Sequence, residues 1–128
     1  MIKSHKDLEV YNLSYKLAMD IFFLTKKFSK EEMYSMTSQI VRPSRPISSN
    51  IAEGWAKRIY PKNFKNQLID ALGSAETQNR ILFSKDCGYI SIQQSEEYSD
   101  KLEQIGKMLT QPHQNWKSSP TSNPTPNL

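Results

Sequence analysis

Apolar residues recur along this chain at helical spacing in four stretches, and nowhere in the sustained alternation that marks a strand. In the first stretch Tyr11, Ser14, Ala18, Ile21, Thr25 and Phe28 follow steps of three and four, with Leu17, Phe22 and Leu24 widening the stripe. A stripe of this width is a buried face. Asp7 stands at its start, where a carboxylate caps free amides and complements the helix dipole, and Lys26, Lys27 and Lys30 gather at its end. The spacing predicts a helix from Asp7 to Phe28, roughly 30 Å long at 1.5 Å per residue. Ser29, with Glu32 three residues on, reads as a capping box opening the next helix. The intervening turn is short, so the first two helices are expected to be antiparallel neighbours.

The second stretch runs from Lys30 to about Ile59, with Met33, Met36, Ile40, Ile47, Ile51 and Trp55 on one face. Pro43 and Pro46 interrupt it, within Arg42-Pro43-Ser44-Arg45-Pro46. A proline inside a helix costs about 3 kcal/mol and removes a hydrogen bond. It also pushes the preceding residue, here an arginine each time, towards extended geometry. The residues alone leave two readings open, a long helix kinked near Arg42–Pro46 or two shorter ones, and lean towards the break.

Tyr60-Pro61 marks a stop and restart. The third stretch, about Pro61 to Cys87, carries Phe64, Leu68, Ala71, Ala75, Gln78 and Leu82 on its stripe. Its small residues Ala71, Gly73, Ser74 and Ala75 allow a neighbouring backbone to approach closely. Gly88 suits a helix end, and Cys87 beside it is expected to be a small buried apolar residue. Ser91 opens the fourth stretch, where Tyr98, Leu102, Ile105 and Leu109 repeat above a charged outer face. The methionines Met19, Met33, Met36 and Met108 are expected to fill the core. Beyond Thr110 the chain turns to Pro, Ser, Thr, Asn and Gln, with Trp116 and Leu128 its large apolar residues. Such a segment buries too little surface to offset its ordering entropy. The expected organisation is one helical domain over 1–110 and a disordered tail over 111–128.

Composition narrows the function classes. The 128 residues allow one domain, no run of about 20 apolar residues offers a membrane span, and no secretory leader follows Met1. A single cysteine cannot close an internal disulfide, which fits a reducing cytoplasm. The net charge of +4 is unevenly placed. Arg42, Arg45, Lys57, Arg58, Lys62 and Lys65, opposed by Glu53, make one segment +5 and leave the remainder at −1. A local cationic segment is a footprint for phosphates, whose neutralisation releases counterions, although solvated helix faces carry such charge too. Trp55, Tyr60 and Phe64 interleave with these cations, as in single-strand binders. For Trp55 and Phe64 the better reading is a pair of core anchors flanking a tight loop.

Catalytic chemistry is not visible. His5 and His113 lie near opposite ends, Cys87 has no histidine base, and no metal-ligand spacing is present. Glu53 and Glu76 sit on apolar or small-residue stretches, but the Glu-x-x-His pairs of di-iron bundles are absent. They are expected to make buried polar contacts between helices, with Asn50 or Arg58 as partner. No cofactor, metal or enzymatic activity is expected.

Five motifs, in order, resemble one family. They are Lys6-Asp7-Leu8-Glu9-Val10-Tyr11, Leu24-Thr25-Lys26-Lys27-Phe28, Tyr34-Ser35-Met36-Thr37-Ser38-Gln39-Ile40, Ser49-Asn50-Ile51-Ala52-Glu53-Gly54 and Ala71-Leu72-Gly73-Ser74-Ala75-Glu76. Together they are similar to the bacterial 23S rRNA-intervening-sequence proteins, also called four helix bundle proteins, over about Lys6 to Leu109. Asn50, Glu53 and Gly54 form the most distinctive run, with Glu76 in the fifth motif. The resemblance implies an all-α, antiparallel up-down four-helix bundle assembling into a ring-shaped homopentamer. A related branch, the accessory variability protein of diversity-generating retroelements, is a basic pentamer working with a reverse transcriptase and nucleic acid. The family pattern tolerates a proline in its second helix, which favours one long kinked helix here. This chain departs from the pattern at Pro43, Arg45, Pro46 and Ser48, and in its tail.

The expected function is therefore a non-enzymatic, cytoplasmic, homo-oligomeric bundle that binds RNA or DNA through the helix 2–helix 3 segment. Lys57, Arg58, Lys62 and Lys65 are the expected phosphate contacts, while Arg42 and Arg45 serve there or at the subunit interface. The rival is a scaffold that docks a protein such as a reverse transcriptase without touching nucleic acid.

Overall fold

The computed structural model describes residues 2–71 and 74–110, leaving out the side chains at 61, 64, 68, 69, 71, 74 and 75. The tail read as disordered, with Trp116, lies outside the described residues. So do residues 72–73 and the stripe positions Phe64, Leu68, Ala71 and Ala75 as side chains.

Among the described residues every regular element is helical. A 3₁₀ turn at His5–Asp7 leads into α1 (Glu9–Thr25). Then come α2 (Lys30–Met36), a π-helical turn (Thr37–Val41) and α3 (Arg42–Ala56). The chain ends in α4 (Pro61–Ala71), α5 (Ser74–Asp86) and α6 (Ile92–Thr110). α1 lies against α3 and α6, α5 packs on α6, α3 and the π turn, and α4 lies along α3. The result is a helical bundle in which α3 touches most of its neighbours.

The break at the prolines does not occur. Met36, Thr37, Val41 and Arg42 all keep right-handed helical dihedrals, so the backbone is helical from Lys30 through Ala56. The distortion is taken up just before the prolines, where the Arg42 amide donates five residues back to the Thr37 carbonyl. This π turn places Pro43 in the first turn of α3, where its missing N–H has least to lose. Pro46 falls inside α3 and denies the Arg42 carbonyl its usual donor. Tertiary contacts offset that loss. Ile40, Val41, Ile47 and Ile51 on either side are at most 5% exposed, and the buried Thr77 hydroxyl of α5 donates to the Pro43 carbonyl at 3.2 Å.

The core joins Leu8, Val10, Leu17, Ile21 and Leu24 to Met36, Ile40, Val41, Ile47 and Ile51, and closes on Ile81, Ile90, Tyr98, Leu102, Ile105 and Leu109. Several stripe expectations change. Phe22 is 37% exposed and Leu82 45%, whereas Leu17 and Ile81 are sealed. On α5 the inward face is Thr77, Ile81 and Ser84, two of them hydroxyl residues that an apolar stripe cannot reveal. Buried hydroxyls here satisfy themselves locally: Ser14, Thr25, Ser44 and Ser84 each donate to a carbonyl three or four residues back.

Helix ends follow local chemistry closely. Ser29 accepts from the Glu32 amide at 3.2 Å, and Ser91 exchanges hydrogen bonds with Gln94 in a full capping box. Gly88 takes φ +83°, with its amide on the Lys85 carbonyl and the Tyr89 amide on that of Ser84, the paired closure of a Schellman end. Cys87, one residue earlier, is exposed rather than buried, lying in the turn just past the end of α5. Asp7 does not cap α1 itself. Its carboxylate accepts from the Lys3 and Ser4 amides and closes the 3₁₀ turn, while α1 begins after Leu8 without a side-chain cap.

Tyr98 gives the bundle an alkaline limit. Burial raises its phenol above the ordinary value of 10.0, and the carboxylates of Glu97 and Asp20 raise it further. A raised folded-state value means that the contribution is whole below pH 10 and is lost as pH climbs through it. Stability is therefore expected to hold level from neutral pH to about 10 and then fall. Urea midpoints measured from pH 8 to 11 check this. Tyr98→Phe is expected to flatten the decline, leaving the smaller part due to Tyr11, which burial also raises.

Candidate nucleic-acid interface

The cations of the basic segment do not form one patch. Arg42 faces a cleft of about 370 Å³ shared with Pro46, Asp70, Glu76, Thr77 and Arg80. Arg45, three residues on, lines a different, apolar groove of about 500 Å³ with Tyr15, Met19, Phe22 and Val41 of α1 and the π turn. Both arginines are exposed. From Arg45 to Lys57 is twelve residues of helix, about 18 Å at 1.5 Å per residue. The other four cations gather at the far end of α3.

There the chain reverses over residues 57–60. The Lys57 amide still bonds back to the Glu53 carbonyl at 3.0 Å, and its dihedrals of −100° and 13° leave the helix. The turn is tied twice more, by the Arg58 amide on the Trp55 carbonyl and the Tyr60 amide on that of Lys57 at 2.8 Å. Pro61 then occupies the first position of α4, suited to its fixed φ and absent N–H. Lys62 and Lys65 follow one helical turn apart, both exposed. The first turn of α4 carries no acid. Positive side chains at a positive helix end are unfavourable for an isolated helix, and they add to the turn's attraction for anions.

Trp55 is half-buried and packs against the core, as an anchor should. The Arg58 guanidinium lies 3.9 Å from the centre of its ring and donates through Nη1 to the Trp55 carbonyl at 2.8 Å. Ile59 and Tyr60 point outward, 71% and 58% exposed. Phe64 as a side chain lies outside the described residues.

The carboxylates behave differently from expectation. Glu53 is exposed, not buried. Its partners are the Lys57 ammonium at 3.6 Å and the Gln67 amide of α4 at 3.1 Å. Gln67 also donates to Asn50 at 3.3 Å, so one α4 amide ties two positions of the Asn50-Ile51-Ala52-Glu53-Gly54 run. Gly54 of the same run is buried. Nothing in the local sequence marks Gln67, because the bond depends on how α4 folds back along α3. Glu76 is exposed as well, paired with Arg80 on its own helix at 3.1 Å. Arg58 partners neither acid in a hydrogen bond or ion pair described here; it spends its guanidinium on Trp55. Among the described residues no group of three or more His, Cys, Asp and Glu side chains is placed to hold a metal ion. No helix among them is long and apolar enough to cross a membrane.

A family model described as 23S rRNA-intervening sequence protein matches residues 6–111. No curated protein and no solved structure is matched.

Proposed function

Because the chain belongs to the 23S rRNA-intervening sequence protein family, we propose that it is a non-enzymatic four-helix bundle that assembles with copies of itself and binds nucleic acid at the α3–α4 turn. The observation that carries the binding reading is the gathering of Lys57, Arg58, Lys62 and Lys65 around four residues, with Glu53 the facing carboxylate. In this reading α2, the π turn and α3 count as one long antiparallel helix, and α4 with α5 as the next.

Self-association is supported by exposed apolar side chains on two separate faces, Tyr15, Phe22 and Phe23 on α1 and Leu82 and Phe83 on α5. Apolar surface of this kind marks contact with another protein. Faces on different sides suit a head-to-tail ring, and the family likeness favours five subunits. A ring repeats each turn, so weak phosphate contacts act together. Arg42 and Arg45, which line grooves of their own away from the turn, are left out of the phosphate contacts. The same apolar faces favour the second reading, a scaffold docking a protein partner such as a reverse transcriptase with no nucleic-acid contact.

Gel shifts with structured RNA and DNA across a salt series, beside solution mass by light scattering, separate these. The proposal expects a mass of five 14.8 kDa chains and an affinity that falls steeply with salt. A monomer overturns the assembly reading, and absence of salt-dependent binding leaves the scaffold reading in its place.

A further inference from the structure

Resting on the binding reading above, we propose that the α3–α4 turn selects unpaired rather than duplex nucleic acid, by offering bases two flat surfaces. The first is Arg58. Its guanidinium carbon lies over the Trp55 ring, 3.9 Å from the centre, and the group is pinned by the 2.8 Å bond to the Trp55 carbonyl. Arg58 is exposed, so the pair is open to an approaching base. A guanidinium fixed in this way, with its stem already ordered, stacks on a base at small further entropic cost. The second surface is Tyr60, 58% exposed two residues later in a turn closed by its own amide on Lys57.

The exposure of Tyr60 is not explained by packing. Trp55, half-buried, packs against the core; Tyr60 is 58% exposed beside the 71%-exposed Ile59. Lys62 and Lys65, a helical turn apart at the start of α4, supply the charge that follows a backbone past these planes. Glu53 pairs with Lys57 at 3.6 Å, and one carboxylate against these cations leaves the local balance positive. Stacked pairs inside a duplex hide their faces, so planes of this kind reward splayed bases, whereas phosphates alone do not distinguish the two forms.

The test uses the full chain, an unstructured RNA oligonucleotide, and the same strand annealed to its complement. Tighter binding of the single strand is expected. Tyr60→Ala is expected to lower single-strand affinity at least about five-fold with little change in the salt slope, because no phosphate contact is lost. Tyr60→Phe keeps the affinity, and Arg58→Lys, with charge retained and the plane removed, narrows the preference for the single strand. Both positions are exposed, and circular dichroism of each variant confirms its helicity. Equal affinity for the two probes, or a Tyr60→Ala variant that binds like the parent, overturns this inference alone. Failure to bind either probe overturns the binding reading and this inference with it.

Discussion

Ile51→Ala is expected to lower the stability of the bundle by about 2–5 kcal/mol, while Ile59→Ala, eight residues away, changes it by less than about 0.5 kcal/mol. Ile51 is fully buried in α3, among the residues that join α1, the π turn and α6 in one core. The substitution removes three carbons, worth about 0.8 kcal/mol each in transfer, and leaves a void that the packed neighbours fill only in part. α3 already carries Pro46 inside it, so its helical state depends on packing more than on propensity. Truncation at Ile51 therefore weakens the contacts that keep a proline-containing helix whole. Against a net stability of about 5–15 kcal/mol, the loss is a large fraction. Ile59 is 71% exposed and serves as the matched control. Urea midpoints with an unchanged slope check the pair. Similar small shifts for both would mean that α3 does not hold the centre of the core.

What could be read from residue order was whatever local chemistry decides. Ser29, Gly88 and Ser91 mark helix ends because their side chains, or the lack of one, act within four residues. The α6 stripe was legible because its apolar residues stand apart and only one face can be buried. On α5, Ile81, Leu82 and Phe83 are consecutive, so three phases fit equally well. The decision in favour of Ile81 comes from Thr77 and Ser84, inward-facing hydroxyls whose bonds are made to carbonyls. The continuity of α2 through α3 was hidden for a related reason. Proline propensity is local, whereas the π turn that accommodates Pro43 is stabilised by Ile40 and Val41 packing against other helices.

At the candidate site the sequence showed the charge and not its division. Six cations within 24 residues read as one segment, yet Arg42 and Arg45 line two different grooves, and α3 sets Arg45 about 18 Å from Lys57 at its far end. Beside Arg45 lies an open apolar groove that residue order alone does not reveal. Glu53 looked buried because its neighbours Ile51, Ala52 and Gly54 are apolar or small. A helix turns 100° per residue, however, so a carboxylate two positions from a buried isoleucine can stand at the surface.

Replacing Lys57, Arg58, Lys62 and Lys65 together by Glu is expected to abolish measurable binding, whereas Arg42→Glu with Arg45→Glu retains most of it. Neutralising four phosphates per protomer gives a salt slope of about −2.8 on a single strand or −3.6 on a duplex. Over a four-fold rise in salt, from 50 to 200 mM, that corresponds to a loss of about 50- to 150-fold. The quadruple variant removes those contacts and adds four repulsive charges, so its effect exceeds that of salt. All four side chains lie at the surface or are half-buried, and the ion pair broken, Lys57 with Glu53, is exposed and worth little. The variant should therefore fold, and relieving Lys62 and Lys65 of their position at the start of α4 even favours that helix. The Arg42 and Arg45 pair is the informative control, because it changes the charge of the same segment by four units without touching the turn. Binding that tracks total charge would weaken in both variants in proportion, by an amount set by the number of charges reversed. Binding at the turn is lost in one and kept in the other, and the comparison at a single ionic strength separates a local site from a diffuse field.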